Sequence, residues 1–157
     1  MEEIVKKLTI LNKTIATMES CTGGYVVNEI TNISGASEVL KYSAVTYSNE
    51  FKIKMGVNAQ TINEYSVYSI EVAREMSKKI SDFTSSDYGI GITGHLLTID
   101  KNNSNAELNK VYVSIYEKEK DTYFTKVLEL TNKERIKNKQ YISEEIQKML
   151  KQILNLI

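Results

Sequence analysis

The sequence predicts an α/β fold: a single three-layer α/β/α domain over residues 1–157, built on a mixed, mostly parallel sheet. Three observations carry that prediction. Helical and strand-like hydrophobic patterns alternate early in the chain, the mark of strands joined by helical crossovers. Thr14–Met18 and Tyr88–Thr93 read as short buried strands rather than half-exposed ones. Val111–Tyr116 and Tyr123–Leu130 lie either side of Lys118-Glu119-Lys120-Asp121, a late hairpin that makes the sheet mixed.

The elements follow in order. Glu2–Asn12 is an amphipathic helix with Ile4, Val5, Leu8 and Leu11 facing inward. The strand Thr14–Met18 comes next, then a turn, then a helix to about Asn32 with Tyr25, Val26, Ile30 and Ile33 at helical spacing. Ser34-Gly35-Ala36-Ser37 is a break. Val39–Tyr47 alternates as a strand, and Asn49–Met55 is a short helix closed by Gly56. Thr61 and Ser69 are candidate N-caps, the second opening a helix through Val72, Ala73, Met76 and Ile80. The glycines of Tyr88-Gly89-Ile90-Gly91-Ile92-Thr93 suggest that another backbone comes close to that strand. His95–Asn109 is polar and aperiodic, a candidate mobile loop. Thr131 and Glu134 have the spacing of a capping box for a last helix that buries Ile142, Ile146, Met149, Leu150 and Ile153.

Composition narrows the function classes. Twenty basic residues balance twenty acidic ones, so no global field favours nucleic acid or an anionic membrane. No apolar run approaches the roughly 20 residues of a membrane span. One cysteine excludes an internal disulfide, and with no signal-type segment a reduced cytoplasmic setting is expected. No His/Cys/Asp cluster has metal-ligand spacing, so neither metal nor cofactor is expected. Proline is absent, which leaves every tight turn to Gly, Asn, Asp or Ser.

The chemistry concentrates in Glu19-Ser20-Cys21-Thr22-Gly23-Gly24, where a strand hands over to a helix. In open α/β sheets ligands bind at that kind of junction. Ser20 is a poor nucleophile unless a base takes its proton. The sole histidine, His95, is in no recognisable triad order, and its expected place is a loop or the surface. A lysine is the other option. A free lysine with pKa near 10.4 is neutral about once in 2,500 molecules at pH 7. Lowering that pKa by about three units costs roughly 4 kcal/mol, which burial can impose. Lys52, flanked by Phe51 and Ile53, is the candidate, and Tyr47 at a strand end is a candidate to relay or orient the proton. Cys21 reads as a small buried residue. Amide N–H groups near Thr22 and Gly23, at a helix start, are candidate oxyanion donors.

Glu19-Ser20-Cys21-Thr22-Gly23-Gly24 and Val45-Thr46-Tyr47-Ser48-Asn49-Glu50-Phe51-Lys52, in this order and at this separation, resemble the CinA C-terminal domain family. The likeness continues through Gly35-Ala36-Ser37, Val72-Ala73-Arg74-Glu75-Met76 and Thr93-Gly94, nearly the whole chain. That family includes the nicotinamide-nucleotide amidases. The resemblance implies hydrolysis of the carboxamide of nicotinamide mononucleotide to nicotinic acid mononucleotide and ammonia. It assigns Ser20 as nucleophile, Lys52 as base and Tyr47 as a proton-transfer or orienting partner. Thr22, Gly23, Thr93 and Gly94 are carried over as substrate-binding positions. The implied partner is a small nucleotide, with no nucleic acid and no membrane, and a second copy of the chain is a candidate for a homodimer.

The chain departs from the family pattern after Thr93-Gly94. A Gly- and Pro-rich segment is replaced by His95-Leu96-Leu97-Thr98-Ile99, and a Gly-Ala-Val-Ser turn by Ser66-Val67-Tyr68-Ser69. Lys133 and Lys137 stand for arginines at the start of the last helix, with Arg135 displaced; together with Lys139 they read as a solvated face. Two other readings follow: a catalytically silent nucleotide- or protein-binding domain, and a dimerisation module.

Overall fold

The computed structural model describes residues 1–96 and 109–157. In chain order the elements are α1 (Glu2–Ile10), β1 (Ile15–Glu19), α2 (Tyr25–Thr31), α3 (Ala36–Val39), β2 (Leu40–Val45) and α4 (Asn49–Lys54). They continue with α5 (Ala59–Tyr65), α6 (Ile70–Thr84), β3 (Tyr88–Gly94), β4 (Lys110–Glu117), β5 (Thr122–Glu129) and α7 (Arg135–Ile153). The strands form one sheet in the order β2-β1-β3-β4-β5. β1 pairs in parallel with both β2 and β3, while β3–β4 and β4–β5 are antiparallel. β4 alone runs against the others, so the sheet is mixed and mostly parallel, as the sequence predicts.

After β1 the chain crosses to one side for β2, then returns to the other side for β3. Right-handed crossovers in opposite directions put their helices on opposite faces. On one face α1, α2 and α7 bury Leu8, Val26, Ile30, Ile142 and Ile146 against Ile15, Ile90 and Ile92. On the other, α6 buries Val72, Met76 and Ile80 against Ala16 and Met18. The strand order reverses at β1, so a crevice is expected beyond the carboxyl ends of β1 and β3.

The close approach suggested by the β3 glycines is present. A Cβ on Gly89 would fall 1.9 Å from the Ser77 carbonyl oxygen, and one on Gly91 would fall 2.2 Å from that of Ala73. With no side chains there, α6 drops onto the sheet, and the Ser77 and Ser114 hydroxyls meet at 2.9 Å. The short helix α4 is closed as expected, by Gly56 at φ 99°. Ser69 caps α6 by accepting from the Val72 amide at 3.3 Å.

Several local expectations are corrected. Leu11 is exposed, because α1 ends before it and Asn12 turns the chain at φ 52°. Ser34–Ser37 is only partly a break, since Gly35 at φ 85° opens the short α3. Thr61 lies inside α5; Asn58 is the cap, accepting from the Gln60 amide at 2.9 Å. Thr131 and Glu134 form no capping box. Asn132 Oδ1 accepts from the Glu134 amide at 2.9 Å, and that local turn starts α7 one residue past Glu134. Ile153 is only partly buried. Most of the polar segment His95–Asn109 lies outside the described residues.

Candidate active site

β1 ends at Glu19, which sits beside Val45 of β2 and Ile92 of β3. Three strand ends therefore converge on Ser20. The Ser20 amide donates to the Ile92 carbonyl at 3.0 Å, and the Ser20 carbonyl accepts from the Gly23 amide at 3.0 Å. The second bond closes a turn through Cys21 and Thr22, with Gly23 and Gly24 at φ 62° and 89° supplying the left-handed backbone that leads into α2.

Ser20 is not the cap of α2. Gly24 holds the N-cap position, and the Glu19 carboxylate, from outside the helix, takes the amides at its start. One carboxylate oxygen accepts from the Gly24 and Val26 amides at 3.0 and 3.2 Å. The other accepts from the Val27 amide at 2.8 Å and the Thr17 hydroxyl at 3.2 Å. A buried carboxylate without donors would be costly; here four donors compensate and lock the turn. Of the two candidate oxyanion donors, the Gly23 amide is used by the Ser20 carbonyl, and Glu19 takes the amides of Gly24, Val26 and Val27, which leaves the Thr22 amide.

The base candidate arrives from the other crossover. Ser48 caps α4 by accepting from the Phe51 amide at 3.1 Å. In the turn that follows, Phe51 and Ile53 face outward and Lys52 faces in, 1% exposed. Its apolar sequence neighbours are therefore not what buries it; the helix geometry points it at the sheet. Lys52 Nζ lies 3.0 Å from Ser20 Oγ and donates to the Thr46 carbonyl at 2.8 Å. Ser20 itself is buried, and Cys21 beside it is buried as expected. Burial pushes the Cys21 thiol up to about 12, against a weaker opposing pull from Lys52 and its own backbone amide.

The structure thus brings Ser20 and Lys52 together but not Tyr47. The Tyr47 side chain is 65% exposed, and its hydroxyl accepts a long contact, 3.4 Å, from Arg135 Nη2. Arg135 Nη1 reaches the Leu96 carbonyl at 3.5 Å. One turn along α7, Lys139 Nζ stands 3.5 Å from where a Gly23 Cβ would be. Lys139, half-buried, therefore reaches the Ser20 turn, while Lys133, Arg135 and Lys137 are exposed, as a solvated face would be. Lys137 pairs with Glu134. Thr93 and Gly94 end β3 beside the turn. The Thr93 hydroxyl donates to the Val67 carbonyl at 2.9 Å, and a Cβ on Gly94 would fall 2.5 Å from the Lys110 carbonyl oxygen. His95 is buried rather than on the surface, its ring 4.0 Å from that of Tyr68. Sequence reasoning missed Glu19 and Thr46. An acidic residue just ahead of a Ser/Thr/Gly turn into a helix was the available signal for the first.

A sequence profile for the CinA C-terminal domain matches residues 1–154. The chain belongs to the CinA C-terminal domain family. A relative from Caldanaerobacter subterraneus, named as a competence-damage inducible protein, is 39% identical over 143 residues, 88% of this chain and 34% of the relative. A CinA-like protein of Flavobacterium psychrophilum is 38% identical over 111 residues, 70% of this chain and 26% of the relative. The chain thus spans about a quarter to a third of these curated relatives' length. A CinA superfamily protein from Klebsiella pneumoniae superposes with a TM-score of 0.89 at 20% identity, covering 99% of this chain and 96% of that one. A competence/damage inducible protein from Agrobacterium tumefaciens gives 0.88 at 23%, covering 98% and 92%. At such identities the structural likeness is one of CinA fold. No described helix is long and apolar enough to cross a membrane.

Proposed function

We propose that this CinA-family domain is a Ser/Lys amidohydrolase that converts nicotinamide mononucleotide to nicotinic acid mononucleotide and ammonia. The observation that carries this reading is the buried 3.0 Å contact between Lys52 Nζ and Ser20 Oγ. Burial of Lys52 favours the uncharged amine that a base must be. The amine takes the Ser20 proton as Oγ bonds to the carboxamide carbon, and the carbonyl electron pair moves onto oxygen. When that tetrahedral species collapses, the C–N bond breaks and the Lys52 ammonium passes its proton to the departing nitrogen, giving ammonia and an acyl-Ser20 ester. Water then attacks the ester, giving a proton to Lys52, which returns one to Ser20 Oγ as the acid leaves.

Holding the nucleophile and base in contact before substrate arrives removes much of the entropic barrier. Tyr47, Arg135 and Lys139 serve in this reading at the rim, orienting the nucleotide and attracting its phosphate, while Gly23, Thr93 and Gly94 line the approach. Tyr47 orients rather than relays. Purified protein is expected to release ammonia from nicotinamide mononucleotide. Ser20→Ala and Lys52→Met should each lower kcat/KM by about 10³-fold or more. Undiminished release in either variant defeats the mechanism. The lack of Gly and Pro after Gly94 favours a second reading, a silent nucleotide-binding relative. Calorimetric binding of the same nucleotide without turnover would establish it.

A further inference from the structure

The polar groups around Ser20 can be accounted for one by one. Ser20's amide goes to Ile92, Gly23's to the Ser20 carbonyl, and those of Gly24, Val26 and Val27 to Glu19. The Thr46 amide donates to the Glu19 carbonyl at 2.8 Å, and the Thr46 carbonyl receives Lys52. Two side-chain groups in this neighbourhood are left over. The hydroxyls of Thr22 and Thr46 are buried and have no hydrogen-bond partner among the described residues. Both residues are fully buried.

An unsatisfied buried hydroxyl is destabilising, and a native fold carries few of them. Two such groups belong to residues whose backbones adjoin one reactive pair. Thr22 is inside the Ser20–Gly23 turn, and Thr46 shares the nitrogen that touches Ser20 Oγ. The Thr22 amide, at a central position of that turn, likewise has no backbone partner among the described residues. A primary carboxamide presents a complementary set: one oxygen seeking donors and an NH₂ seeking acceptors.

We infer that Thr46, with Thr22, forms the leaving-group seat of the site: their hydroxyls hold the carboxamide nitrogen while the Thr22 amide receives its oxygen. The inference rests on the amidohydrolase reading. After ammonia departs, the same two hydroxyls are placed to hold the water that attacks the ester. Because both are fully buried, the seat suits an unsubstituted amide nitrogen and not an N-alkylated one.

The test uses a shape-preserving pair. Thr46→Val replaces the hydroxyl by a methyl, and Thr46→Ser keeps the hydroxyl. On nicotinamide mononucleotide, Thr46→Val should lower kcat/KM by about 10- to 100-fold, with Thr46→Ser closer to wild type. The same Thr46→Val change should leave Tm unchanged or raise it by about 2 °C, since an unpaired hydroxyl is removed. A merely structural hydroxyl would give the opposite sign. Calorimetry in the Ser20→Ala background reads the contact without turnover: adding Thr46→Val should weaken nicotinamide mononucleotide binding, and adding Thr46→Ser should not. Thr46-dependent binding together with a wild type that releases no ammonia would overturn the amidohydrolase reading alone. Turnover and binding both indifferent to Thr46→Val, or a lowered Tm in that variant, overturn the leaving-group seat.

Discussion

Cys21 and Ser20 are neighbours on one turn, yet their surroundings assign them opposite chemistries. The Ser20 oxygen touches an amine; the Cys21 thiol is driven up to about 12 by burial. At pH 8 only about one thiol in 10⁴ would be ionised, too few to compete as nucleophile. Native protein should therefore resist alkylation by iodoacetamide at pH 8, whereas protein in denaturant should be labelled at once. Rapid labelling of the native chain, with loss of ammonia release, would move the nucleophile from Ser20 to Cys21. Some of this was legible beforehand. Ser20 and Lys52 stand out because their motifs are local and specific. Glu19 and Thr46 do not, because their roles depend on which backbone amides the turn leaves unpaired. The burial of His95 was hidden for the same reason: a lone histidine after a strand gives no hint of the Tyr68 ring it meets.

At the level of elements, the contact between α6 and β3 is the tightest constraint. The carbonyls of Ala73 and Ser77 occupy the space that side chains on Gly91 and Gly89 would need, and backbone cannot move aside as a flexible side chain can. Gly91→Ala is expected to cost roughly 3 kcal/mol, read as a fall in denaturation midpoint. An unchanged midpoint would mean α6 has room to lift. The glycine spacing announced this contact in the sequence, but not its partner. The α7 start shows the converse. Thr131 and Glu134 have the right spacing for a cap, yet Asn132, one residue along, makes a competing turn that spacing alone does not rank. The orientation of Lys52 was likewise beyond a reading of its neighbours, since Phe51 and Ile53 flank it in sequence and face away from it in space.

At the scale of the whole molecule, the sheet is tied at both ends. Opposite the Ser20 end, Asp87 leads into β3 and holds the start of β1. It accepts from the Thr14 amide at 2.8 Å, the Thr14 hydroxyl at 3.0 Å and Lys13 Nζ at 3.1 Å. Burial raises the Asp87 carboxyl, but the Thr14 amide, Lys13 and the Thr14 hydroxyl together outweigh it, leaving the pKa below its ordinary value. A carboxylate whose pKa is depressed on folding adds stability above its unfolded pKa, and loses it as pH falls through the folded one. Asp87→Asn should therefore be less stable than wild type at neutral pH, with the gap closing below about pH 4. A gap that persists in acid would show that the loss is one of packing.

The reversal of strand order at β1 has a further consequence for how the chain acquires its chemistry. Ser20 is tethered by its amide to β3 and by its hydroxyl to the helix that follows β2, so it answers to both excursions of the backbone. During refolding, neither excursion alone completes the pair's surroundings, and recovered turnover would date the moment at which the two halves of the sheet close around a single serine.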